Sequence, residues 1–266
     1  MNGLHLGFIG AGNMATAILD GVVSKVLFPP EQIIVSNPHV EKLGHPKALG
    51  TQVTCDNAAV VRAADLVILA VKPQKFEEVL AGIRDCCAGK CVVSIAAGIS
   101  TDWIRERLPG ALVVRVMPNT PLQMGAGATA VAYAPDVPDD LFQTVCGIFA
   151  AAGAVAVIPE SQMDDVISVS GSSPAFFFRM ADVMVRWAVE QGMDPQVALE
   201  LAACAMKGSA EMLLRSGKTA EELTRQVCSP GGTTLAALTA FDDRDFDGLL
   251  TDAMTRCVNR SRELGK

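Results

Sequence analysis

Two adjacent threonines near the C-terminus carry the side chains best suited to chemistry on a small anion. They end the segment Ser229-Pro230-Gly231-Gly232-Thr233-Thr234, which leads into the apolar residues 235–238. Proline and two glycines before a helical pattern predict a tight turn and a helix N-terminus. The N–H groups and the positive dipole end there attract a carboxylate, and the hydroxyls can hydrogen-bond a neighbouring heteroatom. A capped helix without a ligand is the alternative interpretation.

A glycine-rich turn at the other end of the chain has the form of a dinucleotide-binding fingerprint. An apolar strand pattern over residues 4–9 leads into Gly10-x-Gly12-x-x-Ala15 and then into a helical pattern over residues 16–23. The first glycine permits the turn, the second lets the backbone approach a pyrophosphate, and the small third residue lets helix and strand pack closely. Because strand, turn and helix occur in the required order, we predict that a dinucleotide binds here.

The end of the second predicted strand bears on which dinucleotide is used. Sites that prefer NAD usually place an acidic residue there for the ribose 2′-hydroxyl. This chain has the neutral Ser36 and Asn37 instead, with His39 and Lys42 as the nearest cations. Neutral hydrogen-bonding groups tolerate a 2′-phosphate, so the pattern favours NADPH and leaves NADH open.

Later strand ends hold further candidate cofactor contacts. Small residues such as Ala70 and Ala97 leave room for ribose and nicotinamide, and Lys72 could face a phosphate, the substrate or solvent. Asn119 lies in the proline-flanked corner at 118–121, where its amide could orient the carboxamide of nicotinamide. The two prolines equally explain this corner as structure alone.

General acids and bases are scarce in this chain. It has three histidines, and Tyr133 is its single tyrosine. Neither a histidine–aspartate relay nor a tyrosine–lysine pair, as hydride transfer to a ketone often needs, is evident. A cyclic imine avoids this need, because its C=N bond can take a proton from water. The protein would then mainly hold an anion, orient a ring and present hydride.

Composition and charge exclude several classes of partner. The 266 residues carry a net charge of −7 without a basic patch, which argues against nucleic acid and anionic membranes. The longest apolar run, residues 146–158, is interrupted by glycines and is too short to span a bilayer. The chain begins directly in a predicted strand without a secretory signal, so we expect a cytoplasmic location. The eight cysteines form no C-x-x-C pair, so we expect reduced, mostly buried thiols and no metal site.

The hydrophobic pattern divides the chain into an α/β part and a helical part. Strand patterns occupy residues 4–9, 33–36, 66–71, 91–95, 112–116, 128–132 and 154–158, with helical patterns between them, as at 75–84 and 102–108. This alternation predicts a Rossmann-type, doubly wound parallel sheet. Beyond Pro159 only helical patterns occur, at 175–191, 195–216, 219–226, 233–241 and 244–264. We therefore predict a dinucleotide-binding domain at 1–160 and an all-α domain at 161–266.

Apolar residues crowd the first helix of the predicted second domain. They include Phe177, Phe178, Met184 and Trp187. These side chains could form an internal core or face a second copy of the chain. Because about 100 residues of helix make a small isolated core, we favour a homodimer with exchanged helices.

Taken together, the motifs resemble those of pyrroline-5-carboxylate reductase over essentially the whole chain. The matching segments, in order, are Phe8-Ile9-Gly10-Ala11-Gly12-Asn13-Met14, Ala70-Val71-Lys72-Pro73, Ala96-Ala97-Gly98, Met117-Pro118-Asn119-Thr120-Pro121 and Ser229-Pro230-Gly231-Gly232-Thr233-Thr234. The resemblance implies reduction of L-1-pyrroline-5-carboxylate to L-proline with NAD(P)H, the last step of proline synthesis. It also implies a Rossmann domain followed by a helical dimerisation domain, with dimers commonly assembled into a ring-like decamer.

The resemblance also implies roles for individual residues. Thr234 would hydrogen-bond the ring nitrogen, and the backbone N–H groups of Thr233 and Thr234 would hold the substrate carboxylate. Asn57 would touch the adenosine ribose. The implied substrate-binding set is Val227, Ser229, Gly231, Gly232, Thr233, Thr234 and Ser172, and the cofactor-binding set is Gly10, Gly12, Asn13, Met14, Ser36, Asn37, Asn57, Ala70, Val71, Lys72, Pro73, Ala97, Gly98 and Asn119.

One segment departs from the family pattern. The family usually has Ser-Gly-Ser-Gly-Pro-Ala-Tyr where this chain has Ser170-Gly171-Ser172-Ser173-Pro174-Ala175-Phe176. If the replaced glycine requires a positive φ, Ser173 is strained by about 1 kcal/mol.

Two alternatives to this reductase remain open from the residues. A β-hydroxyacid dehydrogenase would need a lysine about one turn into the helix after this segment, where the chain has none up to Arg179. Arginine cannot exchange a proton at neutral pH. A reductase-like sensor that binds dinucleotide without turnover is the second alternative.

Overall fold

The computed structural model of the protein describes residues 3–265. Contacts between Cα atoms divide these residues into two compact units. The first, here called the sheet unit, runs to Pro174 and also includes the residues from Cys257 onward. The second, here called the helical unit, is Ala175–Arg256.

An eight-stranded sheet forms the centre of the sheet unit. Its strands are β1 (Leu6–Ile9), β2 (Ile33–Ser36), β3 (Gln52–Thr54), β4 (Leu66–Leu69), β5 (Cys91–Ser94), β6 (Leu112–Met117), β7 (Gly127–Ala132) and β8 (Gly153–Ile158). The spatial order is β3-β2-β1-β4-β5-β6-β7-β8. Neighbouring strands pair in parallel except β6 and β7, which are antiparallel. The predicted doubly wound α/β fold is therefore confirmed.

Within the sheet unit, α1 (Asn13–Ser24) and α6 (Asp139–Ala150) cover one face of the sheet, and α3 (Asn57–Ala63), α4 (Phe76–Ile83) and α5 (Thr101–Arg107) cover the other. The sheet unit also contains the short α2 (Gly44–Ala48). The helices that follow are α7 (Ser173–Glu190), α8 (Pro195–Arg215), α9 (Ala220–Val227), α10 (Thr233–Asp242) and α11 (Phe246–Leu264). The part of the chain after Pro159 that the structure describes contains helices and turns and no strand, as predicted.

Side-chain alternation along the buried strands supplies a hydrophobic core on each face. Phe8 of β1 packs in one cluster with residues of α1 and α6. Its neighbour Ile9 packs in the other cluster with residues of α3, α4 and α5. Burying each such side chain contributes roughly 1.5–3 kcal/mol. The two cores fix the carboxyl edge of the sheet, where the candidate cofactor residues lie.

Three short elements were absent from the sequence prediction. β3 has three residues with Val53 as its only strongly apolar one, and it lies at the edge of the sheet. An edge strand this short carries too few apolar residues for its periodicity to be recognised. The helices α2 and α3, with five and seven residues, are short for the same kind of pattern.

The predicted domain boundary near residue 160 follows the end of the last strand, and it stays a prediction. The compact units group the chain differently, because residues 161–174 and the end of α11 have their contacts with the sheet unit.

The expectation that the cysteines are mostly buried was wrong. Of the eight, all of them free thiols, Cys87 and Cys91 are buried, while Cys55 and Cys204 are exposed and the other four are half-buried. Burial raises the pKa of the Cys87 thiol to about 12 and that of Cys91 to about 12. Within residues 3–265 there is no cluster of side chains suited to a metal ion, and no helix there is long and apolar enough to cross a membrane.

Candidate active site

The turn between β1 and α1 has the geometry that the fingerprint requires. Gly10 has a φ of 105°, and a Cβ atom there would lie 2.5 Å from the carbonyl oxygen of Ala70. Its N–H donates to the Ser36 carbonyl at 2.9 Å, which joins the ends of β1 and β2. Only glycine fits both the dihedral angle and the space.

The beginning of α1 leaves an open place beside the backbone. Gly12 is the N-cap residue, its side chain cannot cap the helix, and no side chain of another residue does so. A Cβ at Gly12 would meet no described protein atom within 4 Å. Asn13 on the first turn is exposed, and Met14 is half-buried. The N–H groups of this turn and its dipole therefore face a space that an anionic pyrophosphate fits.

Ser36 and Asn57 are held together at the end of β2. The Ser36 hydroxyl is fully buried, and its Oγ donates to Oδ1 of Asn57 at 2.7 Å. Asn57 is the first residue of α3 and is half-buried. Because its oxygen accepts from Ser36, its NH₂ group is directed elsewhere as a donor. Asn37 is 8% exposed, and its side-chain oxygen accepts from the His39 N–H.

The ends of β4 and β5 supply the remaining cofactor candidates of the sheet unit. Ala70 and Val71 are half-buried after β4, Lys72 is exposed, and Pro73 begins a short 3₁₀ turn. Ala97 and Gly98 follow β5 and are also half-buried. A parallel sheet brings these ends to one edge, together with Gly10 and Ser36.

The side chain of Asn119 hydrogen-bonds two backbone groups within the protein. It is 6% exposed; its Nδ2 donates to the carbonyl of Ser170 at 3.1 Å, and its Oδ1 accepts from the N–H of Ala128 at 2.9 Å. The side chain thus ties the end of β6 to β7 and to the segment before α7. These contacts support the structural interpretation of the corner and leave one Nδ2 hydrogen for any contact with a nicotinamide.

The segment that departs from the family pattern is helical and unstrained. Ile167–Gly171 forms a π-helical turn directly before α7. Ser173 is the first residue of α7, and the positive-φ non-glycine residues of the described chain are Val26 and Asp245 only. The Ser173 hydroxyl donates to the Val169 carbonyl at 2.7 Å. This position therefore does not require a positive φ, and serine replaces glycine here without strain.

The Pro-Gly-Gly turn lies in the helical unit and ends in an uncapped helix. Gly231 has a φ of 70°, and the N–H of Gly232 donates to the Ser229 carbonyl at 2.9 Å. Gly232 is the N-cap of α10, where the turn pattern predicted a helix N-terminus, and it has no side-chain cap. Thr233 is exposed and Thr234 half-buried on the first turn of α10. The N–H groups of this turn are available to an anion beside both hydroxyls. Val227, the other implied contact, is the exposed last residue of α9.

A cleft next to this turn was not anticipated from the sequence. It has a volume of about 510 Å³ and lies wholly within the helical unit. The rings of Phe241 and Phe246 stack in its lining with centroids 4.9 Å apart, and Arg225, Asp242 and Asp247 add charge. A cleft between α9, α10 and α11 depends on how these helices pack, and helix packing leaves no periodic signal in the sequence.

Helix α7 exposes an unusual amount of apolar surface. Phe177 is 54% exposed, Phe178 65% and Trp187 64%, and Val183 and Met184 are also exposed. Large apolar side chains exposed in this number on one helix mark an interaction site in soluble proteins.

Comparisons with known proteins agree in both halves of the chain. Residues 160–264 match the family model described as pyrroline-5-carboxylate reductase dimerisation, and residues 5–98 match the one described as NADP oxidoreductase coenzyme F420-dependent. A pyrroline-5-carboxylate reductase of Methanosarcina acetivorans is 38% identical over 100% of both chains. The crystal structure of Plasmodium falciparum pyrroline carboxylate reductase with NADP bound has a TM-score of 0.92 at 26% identity, covering 100% of each chain. The Coxiella burnetii pyrroline-5-carboxylate reductase has a TM-score of 0.90 at 33% identity, with the same coverage.

Proposed function

The chain belongs to the pyrroline-5-carboxylate reductase family, and we propose that the uncapped start of α10, with Thr234, holds the substrate of this reaction. The protein is an oxidoreductase that reduces the C=N bond of L-1-pyrroline-5-carboxylate to give L-proline, with proline biosynthesis as the usual role. Family membership gives no support to the alternative of a β-hydroxyacid dehydrogenase.

The residues at the edge of the sheet fit NADPH. The space at Gly12 and the uncapped N-terminus of α1 suit the pyrophosphate, because the N–H groups and the dipole stabilise negative charge. When bound, the reduced nicotinamide supplies the hydride. Small residues after β4 and β5 would bound the space for its ribose and ring.

Asn57 is the side chain that we assign to the adenosine ribose and its 2′ substituent. Ser36 accounts for the direction of the Asn57 amide, since its buried hydroxyl donates to Oδ1 and leaves the NH₂ group as an outward donor. A donor attracts a 2′-phosphate, whereas a carboxylate would repel it. The arrangement supports NADPH as the preferred cofactor, and use of NADH stays a prediction.

The start of α10 meets the needs of the substrate. The N–H groups of Thr233 and Thr234 would bind its carboxylate, which fixes the ring by one end. The Thr234 hydroxyl would hydrogen-bond the ring nitrogen and so orient the imine carbon for hydride. The imine takes its proton from water, and one hydride at carbon with one proton at nitrogen completes the reduction. No acid–base residue is required in this scheme, which accords with the scarcity of histidine and tyrosine.

The match of residues 160–264 to the dimerisation family model supports self-association. We assign the exposed apolar side chains of α7 to this dimer interface, since they would otherwise face water. A decamer and a cytoplasmic location both stay predictions from the sequence.

The observation that carries the substrate assignment is a helix N-terminus without a cap that presents two hydroxyls. NADPH oxidation measured with and without L-1-pyrroline-5-carboxylate tests the function directly. We expect turnover that depends on the imine. Stoichiometric binding of NADPH without turnover would instead identify the chain as a dinucleotide-binding sensor.

A further inference from the structure

The C-terminal end of α11 is tied to the sheet unit by three side-chain contacts. Ser261 Oγ donates to Oδ1 of Asp164 at 3.0 Å. Arg262 forms an ion pair with Asp165 at 2.9 Å. The Cys257 thiol donates a hydrogen bond to the Ser172 hydroxyl oxygen at 3.2 Å. All of these residues belong to the sheet unit. The helix end therefore contacts the short segment that precedes α7 at successive places.

The first of these contacts joins an ion pair between a buried arginine and a half-buried aspartate. Arg115 of β6 is 3% exposed and pairs with Asp164 Oδ1 at 2.6 Å, the same oxygen that accepts from Ser261. The Nε of Arg115 has no hydrogen-bond partner among the described residues. A charge this deeply buried depends on every partner of its counter-ion, so loss of the Ser261 hydroxyl weakens the pair.

The backbone of Ser261 lies against the loop after β5, which contains the candidate cofactor residue Gly98. Gly98 has a φ of 78°, and a Cβ there would overlap the Ser261 carbonyl oxygen. It would also lie 3.1 Å from the backbone nitrogen of Gly265. The glycine loop after β5 thus rests directly on the end of α11. Ser261, which is 2% exposed, contacts this loop through its backbone and Asp164 through its side chain.

We propose that Ser261 is a positioning residue. It holds the Gly98 loop and the segment that leads to Ser172 in the positions that the reaction requires. This inference rests on the proposed function and on two contacts that the family resemblance implies, Gly98 with the cofactor and Ser172 with the substrate. Cys257 contributes to the same end: by donating to Ser172 Oγ it leaves the Ser172 proton free to be donated. The end of α11 then positions the residues of the site, although neither Ser261 nor Cys257 touches a reacting atom.

The experiment compares Ser261→Ala with Ser261→Thr in the full-length protein. Kinetics with L-1-pyrroline-5-carboxylate, NADPH affinity by fluorescence titration and thermal unfolding are measured for each. We expect the alanine variant to lose about fivefold in kcat/KM and about threefold in NADPH affinity, the loss of one ordinary hydrogen bond. The threonine variant keeps the hydroxyl and should recover most of both values. Asn259→Ala, exposed on the same stretch of helix, is the control and should match the wild type.

A purely structural role gives a different result. If Ser261→Ala lowers the melting temperature while kcat/KM and NADPH affinity stay within about twofold of wild type, the proposal is overturned. Should this variant fail to fold, Cys257→Ala and Cys257→Ser replace it, with a loss of kcat/KM expected only for alanine. Equal kinetics for those two would also overturn the proposal. Absence of turnover in the wild type would contradict the proposed function instead, and the NADPH titration would still test the link to Gly98.

Discussion

At the scale of single residues, the proposed site relies on hydrogen bonds to orient its ligands. Thr234 presents a hydroxyl on the first turn of an uncapped helix. Ser36 acts indirectly, since its buried hydroxyl sets the orientation of the Asn57 amide. Each of these side chains can be tested by a change that removes or reverses one hydrogen-bonding group.

Thr234→Ala should lower turnover and leave NADPH affinity near normal. Loss of the hydroxyl removes the hydrogen bond to the ring nitrogen, which costs about tenfold in kcat/KM for a bond to a charged group. Steady-state kinetics and NADPH titration measure the two effects separately. Thr234→Ser keeps the hydroxyl and is the matched control. An equal loss of turnover and NADPH affinity would contradict the assigned role.

Asn57→Asp should move cofactor preference from NADPH towards NADH. The change is nearly isosteric, and the new carboxylate can still accept from Ser36, but it replaces a donor with a negative charge that repels a 2′-phosphate. We expect the ratio of kcat/KM for NADPH to that for NADH to fall by about tenfold or more. Asn37→Asp tests the neighbouring position in parallel. An unchanged ratio in both variants would place the 2′ site elsewhere.

At the scale of elements, the backbone geometry preorganises the proposed binding sites. The β1–α1 turn requires the positive φ of Gly10, and both α1 and α10 begin without a side-chain cap. In contrast, α9 carries a full capping box between Thr219 and Glu222, and α3 and α8 are capped by aspartate. The helices assigned to ligands are among those that leave their first N–H groups open.

Gly10→Ala should destabilise the protein by several kcal/mol and abolish tight NADPH binding. The added Cβ would lie 2.5 Å from the Ala70 carbonyl oxygen and would force a positive φ on alanine. Chemical denaturation and NADPH titration measure the outcome.

Gly82→Ala is the opposite case within the same sheet unit. Gly82 lies in α4 with nothing within 4 Å of its added Cβ, so the change should stabilise the protein by up to about 1 kcal/mol. Equal effects of the two substitutions would mean that the turn does not depend on glycine.

At the scale of the whole molecule, the exposed apolar side chains of α7 indicate an interaction surface. Side chains as large as Phe178 and Trp187 are about two-thirds exposed on one helix. The dimerisation family model covers this helix. A second copy of the chain is therefore the partner that we assign to this surface.

Trp187→Glu combined with Phe178→Glu should shift the protein from dimer to monomer. Two carboxylates on the apolar surface would have to be desolvated in the interface, which is strongly unfavourable. Size-exclusion chromatography with light scattering gives the mass directly. Val40→Glu, at an exposed apolar position of the sheet unit, should leave the mass unchanged. A dimer that survives the double substitution would show that α7 does not form the interface.

The sequence by itself determined the elements and the chemistry that local patterns encode. The strand, glycine turn and helix at residues 4–23, and the Pro-Gly-Gly turn before α10, each depend on a few consecutive residues. Turn geometry and side-chain periodicity act over such short distances, so one sequence suffices to predict them. The scarcity of acid–base residues likewise needs no structure.

Only the tertiary structure decided which distant side chains meet. Ser36 and Asn57 are 21 residues apart, and Ser261 and Asp164 are 97 residues apart. Their contacts depend on the order of strands in the sheet and on where α11 ends, and neither leaves a periodic trace in the sequence. The structure also showed that Asn119 binds backbone groups and that Ser173 fits a helix without strain. Such outcomes depend on burial and on the geometry of partners brought together by folding.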